Sequence, residues 1–148
     1  MPTEDSYRAV AYPAPEAMAR IRIILVEPQH PGNIGASMRA MKTVGMSDLV
    51  LVRPVPFRES QDTWNLASGA RDLVESARVV DDLDAAAEGV HWLVGTTNRK
   101  RDSLLDAPVP VREAARRLAS IATERRVGIL FGREDYGLSS ADLARCNQ

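Results

Sequence analysis

Residues able to do chemistry are concentrated in three short segments of this 148-residue chain. The first, residues 28–39, reads Pro-Gln-His-Pro-Gly-Asn-Ile-Gly-Ala-Ser-Met-Arg. It follows an apolar run and opens a helical pattern, and the unpaired N–H groups and dipole of a helix start favour an anionic ligand. Gly32 and Gly35 let the backbone turn sharply and approach another element closely. Arg39 follows Gly35 by one helical turn, so its guanidinium can reach back over the loop, and Asn33 stands at the start of the same helix. The alternative is a strand-to-helix turn carrying a surface arginine, because the full glycine fingerprint of dinucleotide sites is absent.

The second segment, residues 131–139, runs through Gly132, Arg133, Glu134, Asp135, Tyr136 and Gly137. Carboxylates at the carboxyl end of a strand lie where α/β sheets bind ligands. Glu134 can accept hydrogen bonds from ribose hydroxyls, an amino group or a partner arginine. A solvated turn pivoting on Gly137 is the alternative. The third segment, residues 95–102, places Thr96 and Thr97 at a strand exit, followed by Arg99, Lys100 and Arg101. That triplet is the densest basic run of the chain and suits either phosphate contacts or a solvated loop.

Other chemistries find little support. His30 and His91 have no neighbours at metal-ligand spacing, so no metal site is expected. No Ser/His/Asp or Cys/His arrangement is recognisable, and the single cysteine, Cys146, can form no internal disulfide. Trp64 reads as a core or interface anchor.

The elements that must position these residues are legible as alternating runs. Apolar runs of strand length occur at residues 20–26, 49–52, 78–80, 91–94 and 127–131. Their continuous hydrophobicity suits strands covered on both faces, as in a parallel sheet. Helical patterns occupy residues 34–44, closed by Gly45, then 82–88, closed by Gly89, and 111–124, where Val111, Ala114, Ala115, Leu118 and Ile121 share a face. Ser139 or Ser140 can cap a last helix. Strands alternating with helices predict an α/β domain over residues 20–148, with mainly parallel strands flanked by helices. Residues 1–19, rich in Ala, Pro and Glu, are expected to be a mobile extension or loosely docked arm.

Composition sets limits. With 45% hydrophobic residues, 26% charged residues and a net charge of -1, the chain is neither disordered throughout nor generally attractive to nucleic acid. No run of about 18 apolar residues offers a membrane span, and the N-terminus lacks a signal-peptide core. A cytoplasmic location is expected.

Together the segments resemble the SpoU class of the SPOUT superfamily, knotted S-adenosylmethionine-dependent RNA 2′-O-methyltransferases. Residues 31–45 look like that family's first motif and residues 130–139 like its second. The resemblance implies the α/β knot fold, with the third motif and the knot-closing segment expected beyond Gln148, so that the chain reads as truncated. It implies Asn33 and Arg39 on the side of the reacting hydroxyl, and Thr96, Thr97, Gly132, Arg133 and Glu134 around S-adenosylmethionine. It further implies a homodimer acting on RNA. The expected substrate is tRNA, methylated on the ribose of cytidine or uridine at nucleotide thirty-two of the anticodon loop. RNA contacts are expected from local patches: Arg22 and the run Arg99, Lys100 and Arg101, with Arg20, Arg53 and Arg58 as further candidates. Three alternatives remain open: a ribosomal RNA substrate, a non-catalytic module that binds RNA or dimerises, and an unrelated α/β enzyme binding phosphate at the Gly32–Gly35 turn.

Overall fold

A computed structural model describes residues 15–98 and 107–148. Five strands, β1 (Ile21–Val26), β2 (Asp48–Val52), β3 (Arg78–Val80), β4 (Trp92–Gly95) and β5 (Val127–Phe131), form one sheet in the order β3-β2-β1-β5-β4. Every neighbouring pair is parallel. The α/β architecture with a parallel sheet is as the sequence predicts. The central strand β1 is buried at all its positions, which is why it reads as an apolar run broken only by Arg22 rather than as an alternating one.

Helices connect the strands. α1 (Pro31–Thr43) joins β1 to β2, while α2 (Gln61–Ala67) and α3 (Arg71–Ser76) join β2 to β3. α4 (Leu83–Ala86) precedes β4, α5 (Val111–Ala122) precedes β5, and α6 (Ser140–Ala144) follows it. Ile21, Ile23 and Leu25 point to one face, where they pack with Ile34, Met38 and Met41 of α1, Leu73 and Val74 of α3 and Leu118 of α5. Ile24 and Val26 point to the other face, against Leu83 of α4, Leu138 of the loop after β5 and Leu143 of α6. Steps across the sheet toward β3 carry their helices on the first face, and the single return from β3 to β4 carries α4 on the second. A constant crossover hand requires that division.

Several boundaries differ from the sequence reading. α1 starts three residues early because Pro31 occupies its first position, where a missing N–H costs nothing. The short helix after β3 is only Leu83–Ala86, opened by the Asp82 side chain accepting from the Ala85 amide. α2 and α3 were not anticipated. Just before β1 the chain is docked: Glu16–Arg20 forms a 3-10 turn, Ala17 and Met18 pack on the core, and Arg20 donates to the Ala122 carbonyl at the end of α5.

Arg22 is corrected as an RNA contact. It is 6% exposed; its Nε donates to Asp48 at 3.0 Å and its Nη1 donates to the carbonyls of Ala86 and Glu88. Asp48 also pairs with Arg78 and Arg126, so one largely covered carboxylate ties together the amino ends of β1, β2, β3 and β5. Removing such a carboxylate would strand a buried guanidinium, a change that costs about 3–5 kcal/mol.

Candidate active site

β1 and β5 lie side by side, but the chain leaves β1 for the face of α1 and leaves β5 for the face of α6. Adjacent strands whose connections diverge open a crevice at their carboxyl ends, the usual ligand position in such sheets. The turn before α1 and the loop after β5 meet over that crevice.

The loop after β5 is tightly folded. Arg133 and Gly137 exchange backbone hydrogen bonds at 3.3 and 2.8 Å, and Gly137 takes φ +74°. A side chain at Gly132 would lie 2.1 Å from the Gly137 carbonyl carbon, so only glycine lets the two arms of the loop close. Leu138, 1% exposed, anchors the loop in the core. Ser139 then caps α6 in a reciprocal box with Asp142.

Closure presents Glu134 to the start of α1. Its Oε2 accepts from the Gln29 amide at 2.8 Å, and its Oε1 accepts from the His30 amide at 3.1 Å and from Asn33 Nδ2 at 3.3 Å. Partial burial raises the Glu134 pKa, but the bonds from Gln29, its own backbone, Asn33 and His30 outweigh that effect and hold it below the usual value. Two residues assigned separately from the sequence, Asn33 and Glu134, are thus bonded across the crevice.

Thr96, Thr97, Gly132, Arg133 and Glu134 all line one cleft of about 510 Å³. The Thr96 hydroxyl donates to the Leu130 carbonyl at 2.8 Å, joining the exits of β4 and β5. Arg133 is drawn back onto its own loop by Asp135, which raises the arginine's pKa and lowers its own. An adjoining, more apolar groove of about 380 Å³ runs from Thr96 and Thr97 past Val111, Leu143 and Cys146. Burial, with Asp142 nearby, pushes the Cys146 thiol up to about 11, which leaves it protonated and a poor nucleophile at neutral pH.

Arg39 is exposed on α1, and among the described residues no hydrogen bond or ion pair engages its guanidinium. The run Arg99, Lys100 and Arg101 lies outside the described residues. Arg58 donates to the carbonyls of Val74 and Ala77, and its own carbonyl accepts from Trp64 Nε1, which makes both residues structural. No group of three or more metal-ligating side chains occurs among the described residues.

Sequence reasoning missed the pair beside this site. Glu27 and Arg53, at the exits of β1 and β2, adopt φ +50° and +44° and form an ion pair at 3.3 Å. A left-handed non-glycine residue costs about 1–2 kcal/mol, whereas an exposed ion pair returns about 0–1 kcal/mol. The strain is imposed by ladder-like bonds, from the Glu27 amide to the Val52 carbonyl and from the Arg53 amide to the Val80 carbonyl. The sequence offers Arg53 as a candidate RNA contact, but neither residue type announces a positive φ or the pairing with Glu27.

Residues 20–148 match the model of the SpoU rRNA Methylase family. The chain is 44% identical over 130 residues to the tRNA (cytidine/uridine/adenosine-2′-O-)-methyltransferase TrmJ of Pseudomonas aeruginosa, covering 86% of this chain and 49% of that protein. The crystal structure of TrmJ from Z. mobilis is 38% identical with a TM-score of 0.71, covering 84% of this chain and 55% of that one. The fold is shared more distantly by the SpoU methyltransferase AviRb from Streptomyces viridochromogenes, solved in complex with the cofactor AdoMet. AviRb is 20% identical, with a TM-score of 0.57, over 84% of this chain and 47% of that one. The chain spans about half the length of the curated relatives it matches.

Proposed function

The chain belongs to the SpoU methylase family, and from that premise we propose that it transfers a methyl group from S-adenosylmethionine to a ribose 2′-hydroxyl of tRNA. The observation that carries this reading is the Glu134 bridge, which joins the two motif loops into one polar crevice at the sheet's switch point. The TrmJ relatives support tRNA as the substrate and the ribose of cytidine or uridine as its target, with adenosine in addition for the Pseudomonas aeruginosa protein. Nucleotide thirty-two of the anticodon loop, a cytoplasmic setting and a homodimer complete the reading; sedimentation that found only monomer at high concentration would contradict the last.

The residues present suit the cofactor. Glu134 offers a carboxylate to hydroxyl or ammonium groups, the threonines offer hydroxyls, and the neighbouring apolar groove fits a flat base. When bound, S-adenosylmethionine supplies an electrophilic methyl on sulfur. The protein must then orient the hydroxyl and stabilise charge as its proton leaves. Asn33 gives its amide N–H to Glu134, which leaves its carbonyl oxygen to accept from a ribose hydroxyl. Deprotonating a guanidinium at pH 7 costs about 7–9 kcal/mol in water, so Arg39 serves as a cation that holds phosphate and stabilises the developing oxyanion.

Single-turnover transfer of labelled methyl to tRNA tests these roles. Arg39→Ala lowers the rate about 10²–10³-fold with cofactor affinity unchanged. Arg39→Lys keeps the charge but not the fork and recovers little. Full activity in the lysine variant would contradict bidentate positioning.

A further inference from the structure

We propose that Arg53 is a positioning residue that grips an RNA phosphate at the rim of the crevice; the proposal rests on the RNA substrate argued above. The structure sorts the arginines that the sequence left equivalent. Arg20 and Arg58 are spent on helix-end carbonyls, and Arg22 is buried against Asp48. Arg53 remains half-exposed, at the carboxyl end of β2 and therefore on the site's side of the sheet.

Its surroundings hold it next to the site. The Val55 amide donates to the Pro28 carbonyl at 3.2 Å, tying the exit of β2 to the turn whose next two amides bind Glu134. Glu27, the partner of Arg53, directly precedes that turn. Nε of Arg53 faces Glu27 and Nη1 donates to the Asp81 carbonyl, which fixes the plane of the guanidinium. A guanidinium carries five N–H donors, and these two bonds leave the Nη2 group to meet a phosphate oxygen. Glycine would accept φ +44° without strain, and an exposed ion pair does not repay the strain of two left-handed residues. An outward-facing task for the side chain accounts for arginine at this position. Glu27 acts as its tether, so less side-chain freedom is lost when phosphate binds.

The test is tRNA binding by this chain, followed by fluorescence anisotropy across a salt series. Arg53→Gly suits the backbone and removes only the side chain, so folding is preserved and is checked by circular dichroism. The expected result is affinity about tenfold weaker at low salt and a salt slope reduced by about one. Arg53→Lys should restore the slope and only part of the affinity. Wild-type affinity and slope in Arg53→Gly would overturn the proposal, and so would weaker binding with an unchanged slope. If the unmodified chain fails to bind tRNA at low salt, the RNA reading itself falls, and this proposal with it.

Discussion

Glu134 does with one carboxylate what two loops could not do alone: it satisfies the Gln29 and His30 amides at the start of α1 and orients the Asn33 amide. The folded-state pKa of Glu134 is lowered, so the tie contributes stability above the ordinary glutamate range. That contribution is lost as pH falls through the lowered value. The backbone amide shifts of Gln29 and His30 should therefore titrate together in NMR, with a midpoint below the ordinary glutamate pKa of about 4.3. In Glu134→Gln they should stay flat, and a midpoint above the ordinary value would contradict the bridge. The sequence marked Glu134 and Asn33 as site residues by type and place, but not as partners, since they lie 101 residues apart. It misled at Arg22 for the same reason: a charge shows in sequence, whereas the Asp48 that neutralises it does not.

At the level of elements, α1 is aimed by its packing on α2. A side chain at Gly35 would meet the Thr63 carbonyl oxygen at 2.2 Å, so the two helices touch backbone to side without room for a methyl. Thr63 is wholly buried, and its hydroxyl donates to the Pro31 carbonyl at 3.0 Å, fixing the first turn of α1 from outside. Gly35→Ala should destabilise the fold by about 1–3 kcal/mol in urea unfolding, the usual cost of overpacking. No loss of stability would mean that α2 does not set the angle of α1. The inner strands were legible because a doubly covered parallel sheet writes them as apolar runs, whereas edge strand β3 is exposed at Arg78 and Val79. α2 and α3 were not legible, because α2 buries only Thr63 and Ala67 and α3 only Leu73 and Val74, too few positions to set a helical period.

The whole molecule divides its charge between two ends of one sheet. At the amino ends, arginines close on Asp48 and hold the strands together. At the carboxyl ends, Arg133 lines the crevice and Arg53 follows β2, each held by a neighbouring carboxylate, Asp135 and Glu27. The family's chemistry was legible in two glycine-bearing motifs, whereas the meeting of their loops depends on β1 and β5 being neighbours, which strand order alone decides. The most direct test of the account is to incubate the chain with methyl-labelled S-adenosylmethionine and tRNA, digest the RNA and identify the labelled nucleoside. The account predicts label in a 2′-O-methylated pyrimidine nucleoside, appearing about 10²–10³-fold more slowly with Arg39→Ala. Label on a base, or cofactor binding and transfer both absent, would contradict it.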